Sequence, residues 1–198
     1  MAIQVETDLT PIANLAGIYT VLVGYPGAVL YGSAGVGSSP HLAAELLSRM
    51  AGVEFTHVPY RGGAPAMTDL IAGRVQFIIG NMPEFLEQIR AGALRAIAFG
   101  GANASPELPG LPLIKQWLPD YDVSNWFGFC GPGKLPAEIL AAWNAALQAA
   151  LADQQTRGRM VAAGMEILGG SVATFNDRIA LDRRRWREVI RAAGISAG

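Results

Sequence analysis

Between residues 18 and 99, short apolar runs of strand length alternate with helical stretches of about ten residues, and glycine or proline marks each changeover. That alternation constrains the chain most. The runs 18–23, 29–33, 53–58, 75–79 and 94–99 read as strands. Leu42, Ala43, Leu46, Leu47 and Met50 recur at helical spacing before a stop at Gly52. A second helix is expected from near Pro65 to Gly73, with Met67, Leu70 and Ile71 facing inward. A third is expected from Pro83 through Phe85, Leu86 and Ile89 to Gly92. Strand–helix repetition of this kind predicts an α/β fold with a mostly parallel sheet covered by helices. Ligands in such sheets bind outside the carboxyl ends of the strands. Three such ends, at 33–41, 59–63 and 80–83, are expected on one edge.

Half of the chain is hydrophobic (51%), so a real core is available. A formal net charge of −1, with no basic stripe interleaved with aromatics, argues against a nucleic-acid partner. Cys130 is the only cysteine, so no internal disulfide forms; with two histidines besides, neither a metal site nor a cofactor is expected. The start carries Glu6 and Asp8 and no early Lys or Arg, unlike a secretory signal peptide. Residues 10–40 are uncharged, but Pro26 and several glycines interrupt them. They read as buried strands and turns rather than a membrane span.

Beyond residue 100 the pattern changes. Residues 100–119 form a Pro- and Gly-rich loop with one short helical stretch, and 123–130 reads as a strand. A helix over 136–152 carries Ile139, Leu140, Trp143, Leu147 and Leu151 as an apolar stripe. Helices over 154–163 and 174–193 follow, the last capped by Thr174, with Phe175, Ile179, Trp186 and Ile190 on its buried side. Arg183, Arg184, Arg185 and Arg187 read as a solvated face near a helix C-terminus.

The stretch 31–41 carries the chemistry. A strand end, a glycine-rich turn and a helix start aim backbone N–H groups and a positive dipole end at one spot, which favours an anion. Ser38 or Ser39 serves as N-cap, and Pro40 suits the first helical position. Gly35-Val36-Gly37 lacks the Lys-Ser/Thr ending of a triphosphate loop and the third glycine of a dinucleotide fingerprint. A Ser/His hydrolase built from Ser33, Ser38, Ser39, His41 and Asp69 is a distant alternative. The helix dipole disfavours a protonated His41, and no nucleophile elbow surrounds any serine; a neutral His41 donating one hydrogen bond to a bound acid is the easier role. Arg61 either pairs with an anion through its planar fork or is a surface arginine. Asn81 either donates from its amide or forms a turn, and Trp126 and Phe127 either line a pocket or are core.

The run Tyr31-Gly32-Ser33-Ala34-Gly35-Val36-Gly37-Ser38-Ser39-Pro40-His41-Leu42, then His57-Val58-Pro59-Tyr60-Arg61-Gly62 and Ala64-Pro65-Ala66-Met67-Thr68-Asp69-Leu70, resembles the Bug (TctC) family. These are solute-binding proteins of tripartite tricarboxylate transporters. The likeness continues through Gly92-Ala93-Leu94-Arg95-Ala96-Ile97-Ala98, Trp126-Phe127-Gly128 and Ala192-Ala193-Gly194-Ile195. The resemblance implies a type II periplasmic-binding-protein-like fold with two α/β lobes around a cleft. It implies binding of a small carboxylate, no catalysis, a periplasmic location and delivery to membrane transporter subunits. Its binding loops match Ser33, Gly35, Gly37, Ser38, Ser39 and His41, then Tyr60, Arg61 and Gly62, then Asn81.

Three departures stand out. The family carries a further N-terminal region, including a signal peptide and a ligand-gripping loop. It has a longer segment where this chain has Gly24-Tyr25-Pro26-Gly27-Ala28. It often has an aspartate where this chain has Gly80. The expectation is therefore an N-terminally truncated member, with a nearly complete lobe at 29–124 and an incomplete one at 1–28 and 125–198. A few hundred Å² of uncovered apolar surface costs several kcal/mol at ~25 cal/mol per Å². A homo-oligomer or domain-swapped dimer is thus expected. The alternative to solute binding is a remnant or interaction module that no longer binds.

Overall fold

A computed structural model of the chain describes residues 9–18, 20–24 and 30–196. In chain order the elements are β1 (Leu9–Ile18), β2 (Thr20–Gly24), β3 (Leu30–Ser33), α1 (Ser39–Ala51), β4 (Thr56–Pro59), α2 (Gly63–Ile71), β5 (Phe77–Asn81), α3 (Met82–Arg90) and β6 (Ala96–Phe99). After a 3₁₀ turn (Ile114–Gln116) come β7 (Asn125–Pro132), α4 (Ala137–Ala152), α5 (Gln154–Ala162), β8 (Met165–Ile167) and α6 (Val172–Ala192). The acidic start and the shortened connection at 25–28 lie outside the described residues.

The chain divides into two compact units: Ile18–Asn125 with Arg185–Gly198, and Met1–Gly17 with Trp126–Arg184. The expected boundaries at 29 and 124 shift accordingly. β2 belongs to the larger unit because it is hydrogen-bonded into that unit's sheet, and the final turns of α6 belong there too.

The larger unit holds a five-stranded sheet in the order β4-β3-β5-β2-β6. β3 pairs in parallel with β4 and β5, whereas β2 runs antiparallel between β5 and β6. The sheet is thus mostly parallel, with one reversed strand inserted. A short apolar run carries no mark of its direction, so the reversal has no local signal in the sequence. The pleat sends β5 side chains to both faces. Ile78 joins Leu70, Met82, Phe85 and Phe99 in one core, while Phe77 and Ile79 join Tyr31, Ala43, Ala44 and Tyr121 in another. Tyr121 anchors the long loop by donating its hydroxyl to the Ala43 carbonyl at 3.1 Å. In α2 the inward residues are Ala66 and Leu70; Met67 is half-buried and Ile71 is exposed. Arg185 is not merely solvated, because it lies 3.7 Å from the Asp122 carboxylate.

The smaller unit has a three-stranded sheet in the order β7-β1-β8. Phe175 is buried there, edge-on to Trp126 with ring centroids 5.1 Å apart. Trp126 donates its indole N–H to Asp182 at 2.6 Å, and Arg178 pairs with the same carboxylate at 2.8 Å. Ser171, not Thr174, caps α6, its hydroxyl accepting the Thr174 N–H at 3.1 Å. Val189 rather than Ile190 is the buried residue near the end of α6. The α4 stripe is only partly covered: Leu151 is buried, but Ile139 and Trp143 are exposed, as are Phe127 and Phe129 on β7. Among the described residues, no helix is long and apolar enough to cross a membrane.

Candidate functional site

The parallel pairing of β3 with β4 and β5 puts the ends at Ser33, Pro59 and Asn81 on one edge of the sheet. The Tyr60 N–H donates to the Ser33 carbonyl at 3.0 Å and joins the first two loops. Gly35 and Gly37 have φ of 128° and 77°, values that L side chains rarely adopt. A Cβ on Gly35 would also meet the Tyr60 carbonyl at 3.3 Å.

The glycine loop is closed by its own hydrogen bonds. Ser38 is the N-cap of α1, but its hydroxyl does not cap; it donates to the Gly35 carbonyl at 2.6 Å. The Gly35 N–H donates to Ser33 Oγ at 3.1 Å, and the Gly37 N–H to His41 Nδ1 at 2.9 Å. Ser39 and Pro40 open the helix. The N–H groups of Ser39 and His41 lie in the first turn, where no intrahelical acceptor is available. That turn contains no acidic side chain, so nothing in it neutralises the positive end of the dipole.

Ser33 and His41 lie beneath this loop. Ser33 is fully buried and His41 is 6% exposed. Expected to be a ligand contact and a second-tier one respectively, they hold the loop's backbone in this structure: Ser33 holds Gly35, and His41 holds Gly37. With Nδ1 accepting, His41 carries its proton on Nε2, which faces Glu45 at 3.8 Å rather than a bound acid. The support is an aromatic stack that follows from strand register. Tyr31 pairs with His57 on β4 and with Phe77 on β5. Ring centroids are 4.8 Å apart for Tyr31–His57 and 5.6 Å for Tyr31–Phe77, and His41 stacks on His57 at 3.9 Å. Tyr31 donates its hydroxyl to Glu45 at 2.7 Å, and burial raises its pKa. Burial, with His41 close by, pushes His57 down to about 4. Burial also lowers His41, against the pull of Glu45. Both imidazoles are therefore neutral at pH 7.

Around this loop, Tyr60 donates its hydroxyl to Asp69 at 2.7 Å, and its phenol is pushed up to about 12, mainly by desolvation. Arg61 is exposed and pairs with no acid among the described residues. Gly62 is the N-cap of α2. Asn81 precedes α3; its amide donates to Glu84 at 2.6 Å and accepts from Asn125 at 2.6 Å. A cavity of about 430 Å³ opens beside these residues, lined by Gly63, Ala64, Met67, Glu84 and Phe85. A Cβ on Gly80 would sit 2.5 Å from the Phe85 ring, so Phe85 occupies the space a larger residue at 80 would need.

Tyr31, Glu45, His57 and Glu84 are absent from the sequence-based site. His57 enters through strand register, which single-sequence patterns do not reveal. Glu84 had a signal: an acid in the first turn of a helix that opens at a candidate loop. A Ser–His pair does exist, Ser33 Oγ lying 2.6 Å from His57 Nε2. It involves neither His41 nor a reachable nucleophile, because Ser33 is fully buried. Trp126 and Phe127 belong to the smaller unit.

The model of the family described as TctC, tripartite tricarboxylate transporter family receptor, matches residues 1–195. The UPF0065 protein in the tcbD-tcbE intergenic region of a Pseudomonas sp. is 34% identical over 167 residues, spanning 83% of this chain and 50% of its own length. This chain thus spans about half of that relative. A UPF0065 protein of Pseudomonas knackmussii, in the clcB-clcD intergenic region, is 33% identical over 79% of this chain and 94% of its own length. The solved structure of R. palustris Rpa4515 with adipate is 31% identical with a TM-score of 0.89, covering 99% of this chain and 72% of that one. The periplasmic binding protein BugD, at 24% identity, shares the fold with a TM-score of 0.82 over 95% of this chain and 70% of its own.

Proposed function

Because this chain belongs to the TctC family of tripartite tricarboxylate transporter receptors, we propose that it binds a small carboxylate at the 33–41 loop and serves the membrane subunits of such a transporter from the periplasm. The family consists of solute receptors, not enzymes. The observation that carries the reading is the start of α1: a glycine loop shaped by its own hydrogen bonds, and a first helical turn with no acid in it. The N–H groups of Ser39 and His41, with the Ser39 hydroxyl, receive the carboxylate, while Ser38 ties the loop to the Gly35 carbonyl. Arg61 adds charge, Gly35, Gly37 and Gly62 shape the backbone, and Tyr60 and Asn81 border the ligand. Ser33 and His41 position the loop from below. The adipate in Rpa4515 supports a small organic acid as the ligand class. Weak binding, about −4 to −6 kcal/mol, suits a site built from one unit alone. Calorimetric titration with adipate, succinate, citrate, glutamate and benzoate tests this. Heat from at least one that is lost in Ser39→Pro, with folding intact, supports it. Silence from all of them in folded protein favours a module that no longer binds solute.

A second reading concerns assembly. Phe127, Phe129, Ile139 and Trp143 are each at least 42% exposed in the smaller unit, an arrangement that favours self-association with a second copy of this chain. Sedimentation at low micromolar concentration tests it; a compact monomer counts against it.

A further inference from the structure

Two histidines hold the 33–41 loop from below, and they hold it in chemically different ways. The Gly37 N–H donates to His41 Nδ1 at 2.9 Å. Only a neutral imidazole offers that lone pair; in the protonated ring both nitrogens are donors. A proton on His41 therefore sets one N–H against another and removes the tether on Gly37. His57 acts through a hydroxyl instead. Its Nε2 lies 2.6 Å from Ser33 Oγ, which also accepts the Gly35 N–H and donates to the Gly35 carbonyl, each at 3.1 Å. A hydroxyl has one proton to give and two lone pairs to accept with. Ser33 thus accepts from a protonated His57 and still holds Gly35 at both points. The two rings stack with centroids 3.9 Å apart, so their charges repel and the pair takes up one proton at a time.

The groups facing the pair come from three elements. Glu45, one turn further along α1, lies 3.8 Å from His41 Nε2 and accepts from the Tyr31 hydroxyl of β3 at 2.7 Å. β4 contributes His57 itself, and β5 adds the apolar Phe77 on the far side of Tyr31. Tyr121, with Asp122 and Arg185 near it, meets α1 at the Ala43 carbonyl. Glu45 is therefore the acid that balances a charge on His41, and that charge adds little attraction for a ligand on the loop.

We infer that His41 is a positioning residue whose protonation frees Gly37 and weakens carboxylate binding in mild acid, while the proton on His57 is absorbed by Ser33. The inference rests on the carboxylate-receptor reading. Gly37 sits at φ 77°, and without its tether the loop spends less of its time in the binding shape, so apparent affinity falls in proportion. Burial holds His41 below its ordinary 6.5, which puts the loss on the acid side of that value.

The experiment has two readouts on the wild-type chain, His41→Asn and His57→Phe, with thermal melting to check each fold. Asparagine carries its Oδ1 on Cγ, as histidine carries Nδ1, so it keeps an acceptor for Gly37 that does not titrate. The first readout is the Gly37 amide in nuclear magnetic resonance of ligand-free protein, from about pH 7.5 to about pH 5.5. It is expected to shift with the midpoint of the His41 ring in wild type and to stay still in His41→Asn. The second is calorimetric titration with adipate, succinate, citrate, glutamate and benzoate at the two ends of that range. Protonation of the ligand itself affects every variant alike. Acidification is expected to weaken wild-type binding about threefold more than it weakens binding to His41→Asn. His57→Phe keeps a ring in the stack and leaves His41 as the chain's one imidazole, so both responses persist there. A Gly37 amide that ignores His41, a response lost in His57→Phe, or wild-type binding that tightens in acid relative to His41→Asn overturns the role of His41 and leaves the receptor reading standing. No binding of any of the five acids to folded wild-type protein overturns the receptor reading and this inference with it.

Discussion

The two units place their large apolar side chains differently. In the larger one, Tyr31, Tyr121, Phe85 and Phe99 are all less than 2% exposed, on two faces of one sheet. The smaller one buries Phe175 as completely but leaves Phe127 at 56% and Trp143 at 50% exposure. A sheet covered on both sides satisfies its own apolar residues. A three-stranded sheet with a helix whose stripe is half uncovered does not, and its surplus surface is available to another molecule. The proposed ligand chemistry lies wholly in the self-sufficient unit, and the proposed self-association surface wholly in the other.

Core truncation is the strongest way to break this contrast. Phe85→Ala removes a fully buried ring and is expected to cost about 3–5 kcal/mol in denaturant unfolding. A cost near zero would mean that the larger unit's core is not what sustains it. Acid comes next. Burial holds His57 down to about 4 and His41 below the usual 6.5. Between those values the folded protein binds fewer protons than the unfolded chain. Stability is therefore complete above pH 6.5 and falls as pH drops toward about 4. Allowing for solvent screening, the loss is about 1–2 kcal/mol by about pH 5. His57→Phe should flatten that slope in a denaturation series across pH, and an unchanged slope would exonerate the stack. Arg61→Ala is expected to weaken carboxylate binding about fivefold with no change in melting temperature, as suits an exposed cation. The smallest folding effect belongs to Trp143→Ala, under about 0.5 kcal/mol. Yet it should shift sedimentation toward monomer, and a dimer that withstands it would place the interface elsewhere.

Much of the larger unit was legible because its signals are local. Gly52 adopts φ 66° and ends α1 where the periodicity stops, and Pro83 sits in the first turn of α3. The three loops on one edge followed from strand–helix repetition alone. What escaped was non-local. The direction of β2 is set by its neighbours β5 and β6, and the histidine stack is set by register between β3 and β4. The burial of Ser33 and His41 escaped for a related reason. Residue type shows that a serine or histidine can contact an acid, but only packing shows that these two face inward. In α6 the competing choices were three residues apart at the start and one at the end: Ser171 caps where Thr174 was expected, and Val189 is buried where Ile190 was expected.

The reversed strand β2 also bears on how the sheet can be assembled. Val21 pairs with Gly80 on one side and Phe99 on the other. During synthesis β2 leaves the ribosome before both of its neighbours, and β5 and β6 have no direct ladder to each other without it. The edge that carries the loops is complete only after a segment made early meets two made late, so closure of the sheet waits on contacts distant in sequence, the kind that slow folding.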